Sequence, residues 1–319
     1  RTDERFIAIG VEGDRETLLA FAQDDGLGRR LWVRGWKGRN NVALSPQAMD
    51  RLIAPPSLTL QPHYAFVRVE RRERVLEVTI QRPEVNNALT PEANDELEQV
   101  FDAFEADPDL WIAIITGAGT QAFSTGNDLK ATASGRRMWM PRTGFGGLTA
   151  RPHRAKPVIA AVNGFAMGGG FEIALACDLI VADETAQFAL SEPRVGLIAA
   201  AGGVQRLLRQ VTSKQAMGLL LTGRRASAAE GLAFGFVNEV VPPGTALDGA
   251  RRWAAQILEC SPMSVRATKA LALAQAVHAS EADAVLQAYA AADRLLASED
   301  RLEGVMAFAQ KRKPQWKNR

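Results

Sequence analysis

The chain has 319 residues, of which 47% are hydrophobic and 23% are charged, with 38 basic and 36 acidic side chains. This apolar fraction excludes a disordered chain, and the net charge of +2 argues against a surface that binds nucleic acid. The three histidines lack the spacing of metal ligands. The two cysteines lie in apolar sequence, and this use of cysteine favours a reducing compartment over a disulfide scaffold. We therefore predict a globular cytoplasmic protein without a metal site.

Residues 1–63 differ in pattern from the rest of the chain. The segment Glu12–Gln23 is compatible with a short helix, and three prolines predict an extended connection at residues 55–62. We interpret residues 1–63 as an N-terminal extension of uncertain structure, residues 64–260 as the core domain and residues 261–319 as a C-terminal helical region.

From Tyr64 onwards, short strands alternate with helices, a pattern that indicates an α/β fold. Strands are predicted at Ala65–Glu70, Val75–Gln81, Trp111–Thr116, Pro157–Val162, Leu179–Ala182 and Phe188–Leu190. Thr90 is a suitable N-cap for a helix that begins at Pro91. Further helices are predicted at Gly202–Leu208, Ser213–Leu221, Ala228–Gly231, Asp248–Glu259 and over much of Pro262–Arg312.

The most apolar stretch, Val158–Ala182, is long enough to cross a bilayer. It contains Glu172 and Asp178, however, and a carboxylate near the bilayer centre costs about 3 kcal/mol. We therefore interpret the stretch as a buried strand, a turn and a helix, and predict no association with a membrane.

The segment Phe123–Leu129 is a loop of small and polar residues between a predicted strand and a predicted helix. Backbone N–H groups at such a turn make a site for an anion or an oxyanion. The alternative is a plain connection in which Asp128 serves as a local helix cap.

Three consecutive glycines, Gly168–Gly170, precede a predicted helix that carries Glu172 in its first turn. Glycines at this position permit another backbone or a ligand to approach the amides of the helix N-terminus. Glu172 is either a functional carboxylate or a group that complements the helix dipole.

Glu192 directly follows the predicted strand Phe188–Leu190. A carboxylate at the end of a buried strand is partly desolvated, which raises its pKa toward values useful for proton transfer. The alternative is a structural carboxylate that pairs with Arg194 or Arg206. Glu172 and Glu192 together are able to flank one reacting group.

Several ordered motifs resemble the enoyl-CoA hydratase/isomerase (crotonase) family over roughly residues 64–319. The motifs that carry the resemblance are Arg82–Leu89, Ala122–Lys130, Lys156–Glu172, Ala186–Glu192, Thr222–Arg225 and Ala233–Val241. Within the family, the motifs look closest to the carnitinyl-CoA (crotonobetainyl-CoA) dehydratases. The resemblance implies a crotonase-like spiral of ββα units with a C-terminal helical trimerisation region, assembled as a homotrimer or a dimer of trimers.

The resemblance also implies how a thioester would be held and attacked. Its carbonyl oxygen would accept hydrogen bonds from the backbone N–H groups of Asn127 and Gly169, with the glycine run needed because a side chain there would collide with the substrate. Glu172 would position and activate water, and Glu192 would exchange a proton with C2. No cofactor is implied other than coenzyme A, which is part of the acyl-CoA substrate. Residues implied in binding substrate or coenzyme A are Val85, Asn87, Ala88, Thr125, Gly126, Asp128, Leu129, Lys130 and Gly168.

The presence of both glutamates favours a hydratase or dehydratase. Two alternatives stay open: a double-bond isomerase that uses one glutamate, and a non-catalytic or RNA-binding member of the family. The segment Gly196–Gly203 departs from the family pattern by lacking a proline, which is expected to reshape the wall near the acyl β-carbon.

Overall fold

The computed structural model describes residues 3–10, 17–24, 29–34, 59–128, 141–151, 154–274 and 290–319. Strands in these residues are β1 (Asp3–Gly10), β2 (Thr17–Asp24), β3 (Arg29–Arg34), β4 (Val67–Arg72), β5 (Val75–Ile80), β6 (Ile112–Gly117), β7 (Ala122–Ser124), β8 (Val158–Val162), β9 (Phe165–Met167), β10 (Leu179–Asp183), β11 (Gln187–Ala189), β12 (Ala226–Ser227) and β13 (Glu239–Val241). Helices are α1 (Pro91–Ala106), α2 (Gly169–Ala176), α3 (Gly203–Gln210), α4 (Ser213–Thr222), α5 (Ala228–Phe234), α6 (Ala246–Leu258), α7 (Pro262–Ala274), α8 (Ala290–Leu296) and α9 (Glu299–Ala309).

The first three strands pair antiparallel in the order β1-β2-β3. The helix expected at Glu12–Gln23 is therefore wrong, because Thr17–Asp24 is strand β2 and pairs along its length with β1. An isolated apolar segment of this length fits a helix or a strand, and cross-strand pairing decides between them. The boundaries at residues 63/64 and 260/261 stay a prediction.

A six-stranded sheet in the order β13-β10-β8-β6-β5-β4 forms the centre of the fold. All of its neighbouring strands are parallel except the hairpin β4-β5. Strands β5, β6 and β8 are buried along their whole length, which explains the continuous apolar sequences of β6 and β8. Small side chains of α6, Ala246, Ala250 and Ala254, cover one face of this sheet.

A second sheet of four short strands has the order β12-β11-β9-β7. Helix α2 packs beside it, and Phe171 of α2 contacts Phe188 of β11 and Phe236, with ring centroids 5.1 and 5.2 Å away. Strands β7 and β9 have three residues each and fall in segments that the sequence pattern assigns to loops. They place the two loops of interest next to each other, since β7 pairs in parallel with β9.

The remaining predicted elements that fall on described residues are confirmed with small shifts of their ends, whereas the helix predicted to follow Phe123–Leu129 lies outside the described residues. The side chain of Thr90 accepts a hydrogen bond from the Ala93 N–H and caps α1, whose first residue is Pro91. The C-terminal third is helical in α7, α8 and α9, while residues 275–289 lie outside the described part of the chain. Across the described parts of the chain, no helix is both long and apolar enough to cross a membrane.

We expect the close packing of α2 on β7 to make Gly170 intolerant of a methyl group. A Cβ at Gly170 would lie 2.0 Å from the carbonyl oxygen of Ser124, so the Gly170→Ala variant forces α2 and β7 apart. The expected loss is about 1–3 kcal/mol or more of unfolding free energy, measured by urea denaturation.

Gly218→Ala is the matched control, because Gly218 is an exposed residue inside α4 and a Cβ there meets nothing within 4 Å. This variant is expected to gain up to about 1 kcal/mol from the better helix propensity of alanine. Equal effects of the two substitutions would contradict the proposed packing.

Candidate active site

The N-terminus of α2 provides amide groups at the centre of the site. Gly168 is the N-cap of α2 with φ 53°, and its own N–H donates to Ala189 O of β11 at 2.8 Å. Gly169 is the first helical residue, so its N–H has no acceptor within the helix. The helix dipole adds a positive potential at this point.

The loop after β7 lies directly against this helix end. A Cβ at Gly126, which has φ 85°, would lie 2.7 Å from Gly169 N. The Leu89 N–H donates to Gly126 O at 2.7 Å, and the Asp128 N–H donates to Leu89 O at 3.0 Å. In this parallel pairing, the backbone N–H of the intervening Asn127 points away from Leu89. The two segments predicted to carry the oxyanion amides are therefore adjacent.

The three glycines of the run are each required by contacts within the protein. A Cβ at Gly168 would lie 2.9 Å from Glu192 Oε1, and one at Gly169 would lie 2.5 Å from Cε1 of Phe145. Gly170 faces the Ser124 carbonyl. The run thus makes three close approaches inside the chain. The expectation that it also avoids a collision with substrate stays a prediction.

Glu172 lies one turn into α2 and is 4% exposed. Its Oε1 accepts a hydrogen bond of 2.8 Å from the N–H of Gly203, at the start of α3. The pKa of Glu172 is raised to about 7, chiefly by burial and also by the nearby charge of Glu192. The amides of Gly203 and Ala201 and the charge of Arg206 act in the opposite direction. A carboxyl group with such a pKa can accept or donate a proton near neutral pH.

Glu192 lies in a single 3₁₀ turn, Glu192–Val195, directly after β11. Its Oε2 is buried without a hydrogen-bond partner, and burial raises the pKa of this carboxyl. The alternative of a structural ion pair is not supported in the described residues. Arg194 donates instead to Thr222 O at 2.9 Å, and Arg206 donates to backbone carbonyls.

The residues predicted to bind coenzyme A gather around the Leu89–Asn127 bridge. The buried amide of Asn87 is used inside the protein: its Nδ2 donates to Ala118 O and Ala122 O at 2.9 and 2.7 Å. Asp128 pairs with Arg82 at 3.3 Å. Val85, Ala88 and Thr125 lie in the same two segments, and Thr125 N–H donates to Asn86 O. Leu129 and Lys130 lie outside the described residues.

Three contacts beside the glutamates were not predicted from the sequence, although Gly196–Gly203 and Arg206 were singled out there. They are the contact of the Ala201–Gly203 turn with Glu172, the packing of the Phe145 ring on Gly169, and the hydrogen bonds from the Arg206 guanidinium to backbone carbonyls. The Gly202-Gly203 pair ahead of a helix was a usable signal for the first, since it repeats the pattern of glycines before α2. Nothing in the local sequence of Phe145 or Arg206 indicates their neighbours.

Sequence comparison gives a consistent result. The chain matches the family described as enoyl-CoA hydratase/isomerase over residues 70–319. It is 43% identical over 256 residues to the carnitinyl-CoA dehydratase of Proteus mirabilis, covering 78% of this chain and 97% of that protein. Identity to the carnitinyl-CoA dehydratase of Escherichia coli is 41% over 261 residues, covering 79% and 98%.

Solved structures agree. The enoyl-CoA hydratase from Mycobacterium tuberculosis aligns with a TM-score of 0.75 at 38% identity, covering 80% of this chain and 99% of that one. The carnitinyl-CoA hydratase from Mycobacterium avium aligns with a TM-score of 0.63 at 40% identity, covering 81% and 100%. The fold is therefore the crotonase fold, and the chain belongs to the enoyl-CoA hydratase/isomerase family of enzymes.

Proposed function

We propose that this protein is a hydro-lyase that adds water reversibly across the 2,3 double bond of a 2-enoyl-CoA thioester. The observation that carries the proposal is that two desolvated carboxyl groups, the buried Glu172 and the half-buried Glu192, lie near each other at a helix N-terminus. The charge of Glu192 acts on Glu172, and Glu192 lies against Gly168. The relatives named carnitinyl-CoA dehydratase support a dehydratase direction of the same reaction.

In the proposed mechanism, the N–H groups of Asn127 and Gly169 bind the thioester oxygen. Negative charge develops on this oxygen as water attacks C3, and loss of one such donor typically costs about 3 kcal/mol of barrier. Ionised Glu172 takes a proton from the attacking water, and protonated Glu192 gives its proton to C2. The C3–O and C2–H bonds form as the double bond is lost, and exchange with solvent restores both carboxyl groups.

This chemistry needs no metal or redox cofactor, and coenzyme A enters only as part of the substrate. We propose that the segments Val85–Ala88 and Thr125–Asp128 bind it, together with Leu129 and Lys130. Their support is the backbone pairing that brings both segments beside Gly169. A cytoplasmic location stays a prediction of the sequence.

The test of the function is hydration of crotonyl-CoA, followed by loss of the absorbance of the conjugated thioester. Glu192→Gln removes the proton donor to C2 while keeping the size of the side chain, and we expect kcat to fall at least a hundredfold. Glu184→Gln, an exposed glutamate after β10, is the control and is expected to retain wild-type activity. A rate for Glu192→Gln within tenfold of wild type would refute the assigned role. Movement of a 3-enoyl-CoA double bond without any hydration would favour an isomerase.

The pKa of Glu172 predicts a pH-dependent stability. Its folded-state pKa of about 7 lies above the ordinary value of 4.5, so the folded protein binds the proton more tightly than the unfolded one. Ionised Glu172 therefore destabilises the fold as pH rises from 4.5 through 7. Glu172→Gln is expected to be more stable than wild type by up to about 3 kcal/mol at pH 9, and similar to it at pH 4. Guanidinium unfolding at both pH values measures this, and a difference that does not change with pH would count against the assignment.

We propose a homotrimer, alone or as a dimer of trimers. The supporting feature is helix α9, whose apolar side chains Leu302, Val305, Met306 and Phe308 are 59%, 65%, 52% and 87% exposed in the single chain. Analytical ultracentrifugation of Phe308→Glu is expected to show smaller species than wild type. A wild-type protein that sediments as a monomer would rule the assembly out.

A further inference from the structure

Arg206 has an arrangement that the proposed mechanism does not use. It lies in the first turn of α3, where its backbone N–H donates to Gly202 O at 3.0 Å. Its half-buried guanidinium turns back along the chain and donates to two backbone carbonyls, Ala201 O at 3.2 Å and Thr149 O at 2.6 Å. Desolvation of a charged group at such a position is unfavourable unless its donors are occupied in this way.

The first of these carbonyls belongs to the turn that holds Glu172. The N–H of Gly203 donates to Glu172 Oε1, and the amide of Ala201 also acts on this carboxylate. Arg206 thus donates a hydrogen bond to the carbonyl of Ala201, whose amide acts on Glu172. Rotation of the Ala201–Gly203 turn would therefore break both the hydrogen bond from Arg206 to Ala201 O and the hydrogen bonds to the Glu172 carboxylate.

The second carbonyl belongs to residues 141–151, on the other side of the site. This segment carries Phe145, which is 4% exposed and packs directly on Gly169. One guanidinium therefore connects the turn that contacts Glu172 to the segment whose Phe145 ring packs on Gly169.

Among the described residues, no carboxylate lies within 4.0 Å of Arg206, and the carboxylate on which its charge acts is Glu172. Burial lowers the pKa of Arg206, but a guanidinium stays protonated at any pH of interest. Two charges thus act on the pKa of Glu172 in opposite directions: that of Glu192 raises it and that of Arg206 lowers it. The other titratable groups that act on Arg206 are Arg154, Arg209 and Cys177.

We propose that Arg206 is a positioning residue that fixes the Ala201–Gly203 turn on Glu172 and keeps this carboxylate available in its ionised form. The inference rests on the proposed function, because it assigns Arg206 to the base of that reaction. Its action is indirect, since the hydrogen bonds that its guanidinium makes with described residues go to backbone carbonyls.

The test compares Arg206→Met, Arg206→Lys and the control Arg209→Met by the pH profile of kcat/KM for crotonyl-CoA hydration. Arg209 lies on the exposed side of the same helix. Wild type is expected to lose activity below about pH 7, as Glu172 is protonated. In Arg206→Met, kcat is expected to fall about tenfold or more, with this acid limb moved up by about one pH unit and KM little changed. Arg206→Lys keeps the charge, so its acid limb is expected to stay close to that of wild type. Arg209→Met is expected to match wild type.

A measurement independent of activity separates this inference from the proposed function. Protein labelled with ¹³C at the glutamate carboxyl carbons gives the titration of Glu172 by NMR, assigned with Glu172→Gln. An upward shift of this titration in Arg206→Met supports the inference even where wild type hydrates no enoyl-CoA. A Glu172 titration that is unchanged in folded Arg206→Met would overturn it, as would an acid limb that does not move. If Arg206→Met does not fold, Arg206→Lys and Arg206→Gln are compared in the same two measurements. A titration of Glu172 that does not move in Arg206→Gln would then overturn the inference.

Discussion

The site depends on one close approach, that of the first turn of α2 to the end of β7. With Gly170 against the Ser124 carbonyl, no side chain separates helix from strand, and the loop that follows β7 reaches the amide of Gly169. Helix α2 is held in this place by aromatic packing of Phe171 on its other side. The same turn of helix directs Glu172 toward the start of α3. The proposed oxyanion amides and the proposed general base are thus positioned by a single packing contact.

This contact changes the meaning of the glycine run. A family resemblance explains the run by the space that substrate needs, and the structure adds that each position is also limited by protein atoms. Gly168 faces Glu192, the proposed proton donor, while Gly169 faces the Phe145 ring. The geometry of the amides is consequently a property of the folded chain before substrate binds, which is the preorganisation that electrostatic stabilisation of an oxyanion requires.

The sequence predicted the elements that have long or regular patterns and missed those that do not. Continuous apolar runs identified β6 and β8 because both faces of the central sheet are covered, and Thr90 with Pro91 identified the start of α1. Strands β7 and β9 were missed because three residues show no period. Glu172 and Glu192 were found because each lies close to a recognisable feature, Glu172 two residues after the glycine run and Glu192 just beyond a short apolar strand. The roles of Phe145 and Arg206 depend on contacts with residues distant in the chain, such as Arg206 with Thr149, and no local pattern reveals such contacts.

The ionisation of the two glutamates follows from how unequally they are held. Glu172 accepts hydrogen bonds from backbone amides and feels the charge of Arg206, all of which favour its ionised form. Glu192 has a buried oxygen without a hydrogen-bond partner, which favours its protonated form. Because like charges in a desolvated site resist simultaneous ionisation, the pair favours one proton. Burial raises the pKa of both carboxyl groups, and that of Glu172 to about 7, so the pair holds a proton near neutral pH. The proposed addition of water needs one carboxylate to take a proton from water and one acid to protonate carbon. A pair that shares one proton supplies both, which favours hydration over a reaction that needs only one glutamate.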